Sequence, residues 1–213
     1  MPNYDPQVTG VLLAGGLSRR MGGGDKCLQD LGGRPMLRHV VEALAPQVGG
    51  LVLNANGDPA RFAAFGLPVV PDPIAGFVGP LAGVLAGMRW SRAHAPEARF
   101  VATASTDAPF LPPDLVARLR EALAAQPGGI ALARSRGELH PVIGLWPVAL
   151  ADDLEQQLEA GVRKVLHWTD RHGTIAVDFP ARRIGAAEID PFFNANRPEE
   201  LDAARALLAS DRP

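Results

Sequence analysis

Short apolar runs alternate along the chain with longer segments in which apolar residues recur every three to four positions. A run of roughly four to eight apolar residues is typical of a buried strand, whereas a period of about 3.6 residues is typical of a helix with one buried face. In the first part of the chain, these patterns predict strands at 8–14, 51–55, 68–70 and 100–104 and helices at 35–45, 80–92 and 113–125. Strands that alternate with helices predict a parallel sheet covered by helices.

The second half of the chain is less regular. Strands are predicted at 130–133 and 142–146 around a turn at 135–137, and this pair predicts an antiparallel extension of the sheet. The remaining patterns predict helices at 152–159, 163–168 and 198–209 and a late strand at 175–179. We therefore predict an α/β fold class, a single Rossmann-like three-layer domain over 1–213 with a mostly parallel sheet and a small antiparallel extension.

The composition suits a protein with a sizeable core and little net charge. Apolar residues make up 47% of the chain and the formal net charge is -2, so the global basic field of a non-specific nucleic-acid binder is missing. The single cysteine, Cys27, allows no disulfide within the chain, which fits a reducing compartment. Residues 1–7 lack a signal-peptide pattern, and the most apolar segment, 77–88, is too short to span a bilayer. We expect a cytoplasmic protein that binds neither nucleic acid nor a membrane.

A glycine-rich segment directly follows the first predicted strand. Residues 13–26 read L-A-G-G-L-S-R-R-M-G-G-G-D-K. Glycine lets a ligand approach backbone N–H groups, which can form an anion-binding concavity, and Arg19, Arg20 and Lys26 add positive charge. The segment is neither a Walker A loop nor the dinucleotide-binding G-x-G-x-x-G. The combination of glycines and cations suits a triphosphate ligand, and a surface loop with solvated charges is the alternative.

The string L-A-G-G-x-S-x-R-M-G-x-x-D-K resembles the signature loop of nucleotidyltransferases that act on sugar phosphates, isoprenoid precursors and molybdopterin. The best match is the molybdenum cofactor guanylyltransferase family, in which this loop binds the phosphates of GTP. The resemblance implies that the backbone at Leu13, Ala14 and Gly15 approaches the nucleotide. It also implies that Arg20 and Lys26 contact the phosphates.

An aspartate follows the strand predicted at 100–104, in the segment S-T-D-A-P-F. Ligands of parallel α/β sheets bind beyond the carboxyl ends of strands, where Asp107 is expected to lie. Mg²⁺ prefers one or two carboxylates together with phosphate oxygens and water, although an aspartate here could instead cap a turn. The segment resembles the family's D-x-P-[FY] metal motif, which implies that Asp107 binds the cofactor Mg²⁺ and contacts the nucleotide.

Four further segments resemble the same family. L-V-L-N-A-N is similar to its V-N-A-N and implies that Asn54 contacts the nucleotide, while Asp72 matches an aspartate that accepts hydrogen bonds from adjacent N–H groups such as those of guanine. Turn formation is the alternative for both residues. His140 belongs to an H-P pair that faces the acceptor in the family. Asn194 and Asn196 match an N-x-N motif near the metal and acceptor phosphate, and Asn196 also fits a helix N-cap.

The resemblance implies an enzyme that transfers GMP from GTP to the terminal phosphate of molybdenum-molybdopterin and releases pyrophosphate. Arg20, Lys26 and Asp107 would be catalytic, residues 1–125 would bind the nucleotide and residues 126–213 the acceptor. Transient contact with cofactor-insertion proteins is also expected. A molybdopterin cytidylyltransferase or a sugar-phosphate nucleotidyltransferase is the first alternative. The second is a GTP-binding cofactor-delivery protein without turnover.

Overall fold

The computed structural model describes residues 4–14, 25–74, 76, 79–195 and 198–210. Within these residues the strands are β1 (Asp5–Leu13), β2 (Val48–Asn54), β3 (Val69–Val70), β4 (Phe100–Ser105), β5 (Ile130–Ser135), β6 (Glu138–Pro147), β7 (Thr174–Asp178), β8 (Arg182–Ile184) and β9 (Ala187–Ile189). The α-helices in the same part of the chain are α1 (Met36–Leu44), α2 (Pro80–His94), α3 (Leu115–Ala125), α4 (Ala151–Glu159), α5 (Val165–Thr169) and α6 (Pro198–Ser210). Every strand and helix predicted from the apolar pattern is present, with ends that differ by a few residues.

The main sheet has the strand order β3-β2-β1-β4-β6-β5-β7. β6 is antiparallel to both of its neighbours, and the other pairs are parallel. β8 and β9 form a separate antiparallel pair. The predicted α/β fold with a mostly parallel sheet is therefore confirmed, and the antiparallel extension consists of β6 inserted between β4 and β5.

Four parallel strands of the main sheet end at the same level. Leu13 at the end of β1 pairs with Asn54 of β2 and with Ser105 of β4, and Asn54 pairs in turn with Val70 of β3. We call the line formed by these four residues the carboxyl edge. Because β6 is antiparallel to β4 and β5, its first residues also lie at this edge, as does the end of β5. Loops that leave such an edge converge on a common ligand-binding crevice.

Helices cover both faces of the sheet. Successive residues of a strand point to opposite faces, and β1 follows this rule. Val8 and Leu12 pack in a cluster with residues of α1 and α3, whereas Val11 and Leu13 pack with residues of α2, α4 and α5. The fold therefore has three layers, helix, sheet and helix, with an apolar core on each side of the sheet.

Helix α1 shows how the apolar spacing produces a packed element. It begins after Pro35, whose fixed φ suits the start of a helix. Its buried face consists of the five residues predicted from the spacing, Met36, Leu37, Val40, Val41 and Leu44. Full burial of one such side chain contributes about 1.5–3 kcal/mol, so the tertiary contacts rather than helix propensity hold α1 in place.

The elements that the apolar pattern did not predict include a 3-10 helix and a short strand pair. Residues Pro59–Phe65 form a 3-10 helix capped by Asp58, whose side chain accepts a hydrogen bond of 2.9 Å from the Ala60 N–H. The pair β8 and β9 has three residues in each strand, with Arg183 and Glu188 at the centres. Segments this short contain too few positions for a period to be recognised.

Within the described ranges, no helix combines the length and hydrophobicity that crossing a bilayer requires.

Candidate functional site

A lysine and an aspartate from distant parts of the chain form an ion pair at the carboxyl edge. The Lys26 Nζ donates a hydrogen bond of 2.7 Å to Asp107 Oδ2, and the Ser105 hydroxyl donates to the other carboxylate oxygen, Oδ1. The side chains of Lys26 and Asp107 are 15% and 20% exposed, so the pair is reachable but largely screened from water. The structure thus brings together two of the three residues that the resemblance implied to be catalytic, Lys26 and Asp107. An anion could therefore bind to Lys26 and a cation to Asp107 at the same site.

The backbone of Leu13 and Ala14 lies between the neighbouring strands at this edge. The Ala14 N–H donates to the Asn54 carbonyl at 2.9 Å, and the Thr106 N–H and hydroxyl both donate to the Leu13 carbonyl, at 3.3 and 3.2 Å. These bonds fix the point at which the glycine-rich segment leaves β1. Of the predicted site residues, Gly15, Arg20 and Asn196 lie outside the described residues.

A second polar cluster at the carboxyl edge contains Asn54, Asn56 and Asp72. The Nδ2 groups of Asn54 and Asn56 donate to the two carboxylate oxygens of Asp72, at 3.1 and 2.7 Å. The Asp72 N–H donates in return to Asn56 Oδ1 at 2.9 Å. Each carboxylate oxygen keeps a further lone pair, so the cluster can still accept hydrogen bonds from adjacent N–H groups of a ligand.

Helix α2 approaches this cluster closely at Gly83. A Cβ atom at this position would lie 2.4 Å from Asn54 Oδ1 and 2.6 Å from Leu13 Cδ2. Only glycine therefore fits between α2 and the end of β2 without moving Asn54. The G-P-L-A-G string at 79–83 thus has a packing role beside the site.

Arg61 connects the asparagine–aspartate cluster with the end of the glycine-rich segment. Its Nε lies 2.6 Å from Asp25 Oδ2, and its Nη2 donates to the Asn56 carbonyl at 2.5 Å. Asp25 immediately precedes Lys26, so the guanidinium ties the segment bearing Lys26 to the loop after β2. The sequence analysis missed Arg61, because no local motif marks it and its partners come from other segments.

His140 takes part in a chain of hydrogen bonds with two residues that the sequence analysis did not single out. Its Nε2 lies 2.6 Å from the Ser135 hydroxyl oxygen, and that hydroxyl donates to Asp190 Oδ1 at 2.7 Å. Burial lowers the pKa of His140, against the opposing effects of the Asp190 and Glu138 carboxylates. The imidazole is therefore neutral near pH 7.

The segment that carries Asn194 lies against the loop after β4. The Ala195 N–H donates to the Asp107 carbonyl at 3.1 Å. Asn194 Oδ1 is buried and, among the described residues, accepts no hydrogen bond. A buried acceptor without a donor is costly, which makes this oxygen suited to a cation. Asp107 and Asn194 supply oxygen donors of the type that Mg²⁺ prefers, and the structure brings their segments together.

Cys27 is buried beside this site, and its thiol is unreactive. Burial, assisted by the nearby Asp25 carboxylate, raises the pKa of its thiol to about 11. The thiol therefore stays protonated near neutral pH, and a protonated thiol is a poor nucleophile and metal ligand. We therefore interpret Cys27 as a small structural residue.

The protein is a nucleotidyltransferase: it has a three-layer α/β fold, with a lysine–aspartate pair and an asparagine–aspartate cluster at the carboxyl edge of its sheet. More specifically, the chain belongs to the family of the MobA-like NTP transferase domain, whose sequence model matches residues 10–174. It is 53% identical over 205 residues to a molybdenum cofactor guanylyltransferase of Bradyrhizobium sp. (strain ORS 278), covering 96% of this chain and 94% of that one. It is 51% identical to a molybdenum cofactor guanylyltransferase of Rhodopseudomonas palustris (strain BisB5), covering 99% of both.

A solved structure shares the fold at lower identity. The molybdopterin-guanine dinucleotide biosynthesis protein A of Archaeoglobus fulgidus superposes with a TM-score of 0.69 at 23% identity. The alignment covers 94% of this chain and 98% of that one, so the fold is shared over nearly the whole length.

Proposed function

We propose that the protein transfers GMP from GTP to the terminal phosphate of molybdenum-molybdopterin, forming the guanine dinucleotide cofactor and pyrophosphate. The observation that carries this proposal is the Lys26–Asp107 pair, 2.7 Å apart at the carboxyl edge. It provides a cation for the triphosphate and a carboxylate for a metal ion at one place. The two relatives at 53% and 51% identity, both named molybdenum cofactor guanylyltransferase, support GTP and this acceptor.

The nucleotide is held at both of its ends. Backbone groups of Leu13, Ala14 and Gly15 approach it, and Arg20 and Lys26 bind the triphosphate and stabilise charge on the leaving pyrophosphate. At the other end, Asp72 accepts hydrogen bonds from the N–H groups of guanine. Asn54 orients that carboxylate through its bond of 3.1 Å.

Binding of GTP changes the partner of Lys26. In the present structure the lysine neutralises Asp107. A triphosphate offers it a greater negative charge, and the released carboxylate then faces the substrate. Asp107, with Asn194 beside it, would hold Mg²⁺, which neutralises phosphate charge in reactions of this type. The buried Asn194 oxygen, which accepts no hydrogen bond among the described residues, supports this placement.

The acceptor binds on the side formed by residues 126–213, where His140 faces it and where Asn194 and Asn196 lie near its phosphate end. That terminal phosphate attacks the α-phosphorus of GTP in line, and pyrophosphate leaves. Phosphate is already a nucleophile, so the chain supplies positioning and charge stabilisation rather than a strong general base. Residues 1–125 form the nucleotide part of the same domain, and the reaction takes place in the cytoplasm. Cofactor-insertion proteins would contact the enzyme transiently to take over the product.

Pyrophosphate release with GTP, Mg²⁺ and molybdenum-molybdopterin tests the proposal. Lys26→Ala and Asp107→Ala should each lower turnover by about 100-fold or more, since each removes a charge that acts on the reacting phosphates. Lys164→Ala and Asp152→Ala, the same substitutions at exposed positions just before α5 and on α4, should leave turnover unchanged. Near-normal rates in both site variants, or no pyrophosphate release by the unaltered protein, would reject the proposed function.

A further inference from the structure

Asp190, Ser135 and His140 are linked by a chain of hydrogen bonds. The proposed function gives a role to His140 but none to Ser135 or Asp190. The Ser135 side chain is buried and 2% of the residue is exposed. Asp190 Oδ1 accepts from both the Ser135 hydroxyl, at 2.7 Å, and the Phe192 N–H, at 2.8 Å. Burying polar groups costs free energy unless each of them is hydrogen-bonded. The hydrogen-bond geometry of these three residues therefore indicates which atoms donate and which accept.

The direction of the hydrogen bonds fixes which imidazole nitrogen carries the proton. A carboxylate only accepts, so the single hydroxyl hydrogen of Ser135 is used for Asp190. Toward His140 the hydroxyl oxygen can then only accept, and the hydrogen between Ser135 Oγ and His140 Nε2, 2.6 Å apart, belongs to Nε2. In the neutral imidazole, Nδ1 is consequently the acceptor nitrogen. Among the described residues, no hydrogen bond uses Nδ1.

The imidazole is also held in place by its surroundings. Ser135 and Glu138 pair across a two-residue turn, in which Arg136 and Gly137 have φ of 49° and 81°. Positive φ at both central positions is the type I′ geometry that suits a tight hairpin, and it fixes the serine relative to the histidine. The His140 ring packs against the Phe192 ring, with centroids 4.8 Å apart.

The chain of hydrogen bonds lies at the same edge as the catalytic pair. β6 is antiparallel to β4, with Thr103 opposite Gly144, so the early residues of β6 lie beside the loop that follows β4. The segment after Asp190 reaches the same loop, where Ala195 donates to the Asp107 carbonyl. His140 therefore lies at the same edge as Asp107, on the side where the acceptor would bind.

We propose that Ser135 and Asp190 are positioning residues that hold His140 with its proton on Nε2, so that Nδ1 accepts a hydrogen bond from the acceptor. An ionised phosphate offers only acceptor oxygens, so it cannot be the group that Nδ1 recognises. The recognised group is an N–H of the heterocyclic part of the acceptor. This inference rests on the proposed function for the identity of the acceptor, but the assignment of the proton to Nε2 does not.

Steady-state kinetics separate positioning through His140 from a general structural role. Ser135→Ala should raise the KM for molybdenum-molybdopterin about tenfold and leave the KM for GTP unchanged. His140→Gln should have a similar effect, and adding Ser135→Ala to His140→Gln should change the acceptor KM no further. A full additional rise in the double variant, or a rise in the KM for GTP, would overturn the positioning role.

The position of the proton on the His140 imidazole can be measured without the transfer reaction. Two-bond ¹H–¹⁵N spectra of the unaltered protein near pH 7.5 should show one imidazole, absent in His140→Gln, with a protonated Nε2 and an unprotonated Nδ1. In Ser135→Ala the Nε2–H form should become less exclusive, because an imidazole without this partner populates both tautomers. A proton on Nδ1, or on both nitrogens, would overturn the inference, whereas failure of GMP transfer with the expected spectrum would reject only the acceptor assigned by the proposed function.

Discussion

At the scale of single residues, Asp72 is the charged group that we propose recognises the base. Its two carboxylate oxygens already accept from Asn54 and Asn56, and this arrangement orients the carboxylate plane. Guanine presents adjacent N–H groups that match a carboxylate, whereas cytosine does not. The preference for GTP should therefore depend on both oxygens of Asp72 being acceptors.

We expect Asp72→Asn to weaken GTP binding about 10- to 100-fold, because a hydrogen bond to a charged group contributes about 1.5–3 kcal/mol. The substituted amide places a donor opposite either an asparagine N–H or the guanine. Calorimetric titration with GTP and with CTP, both with Mg²⁺, measures the change, and CTP binding should be little affected. Asp58→Asn is the matched control, since asparagine caps the Pro59–Phe65 helix as well as aspartate does. Unchanged GTP affinity in Asp72→Asn would contradict the guanine assignment.

The sequence allowed some of these residues to be predicted but not others. Lys26 and Asp107 belong to sequence motifs that directly follow strands β1 and β4. Because these two strands are parallel neighbours, their carboxyl ends lie side by side. Arg61, Ser135 and Asp190 gave no such signal. Their contacts join separate segments: Arg61 contacts Asp25, and Ser135 contacts Asp190. Asp190 in addition follows the β8–β9 hairpin, which is too short to show an apolar period.

At the scale of elements, α2 connects the core to the site through two glycines one helical turn apart. A Cβ at Gly83 would lie 2.4 Å from Asn54 Oδ1, whereas a Cβ at Gly87 would lie 2.4 Å from Val11 Cγ2. Both positions let the helix lie close against the sheet. Only the first borders a residue of the predicted nucleotide site.

Alanine at each glycine should therefore separate packing from binding. Overpacking costs about 1–3 kcal/mol, offset by roughly 1 kcal/mol from the better helix propensity of alanine. Both Gly83→Ala and Gly87→Ala should lower the free energy of unfolding in urea. Only Gly83→Ala should also weaken GTP binding in calorimetry, because it displaces Asn54 from Asp72. Equal GTP affinities in the two variants would show that α2 does not position the base-binding cluster.

The elements themselves were more predictable than their contacts. The five buried residues of α1 and the buried centre of β1 follow directly from the spacing of apolar residues. The insertion of β6 between β4 and β5 does not follow from spacing, because a hairpin predicts only that β5 and β6 are neighbours. Its position matters for function, since it places His140 at the same edge as Asp107.

At the scale of the whole molecule, the predicted site joins parts of the chain that are far apart in sequence. Lys26 contacts Asp107, Asn54 contacts Asp72, and the Ala195 N–H contacts the Asp107 carbonyl. These segments lie at or after the ends of four strands, β1 to β4, and on the approach to α6. A ligand that bridges them binds only when the fold is formed, so binding and folding are coupled.

GTP with Mg²⁺ should accordingly raise the thermal midpoint of unfolding. A ligand present at about 100 times its Kd adds about 2.7 kcal/mol, which corresponds to roughly 5–10 °C for a chain of this length. Differential scanning calorimetry should show this shift with GTP and a smaller one with CTP at equal concentration. Lys26→Ala should lose most of the shift because the triphosphate has lost a cation, while Lys164→Ala should keep it. A shift of the same size in Lys26→Ala would mean that the nucleotide binds elsewhere, since the lysine at the carboxyl edge would then contribute nothing to its affinity.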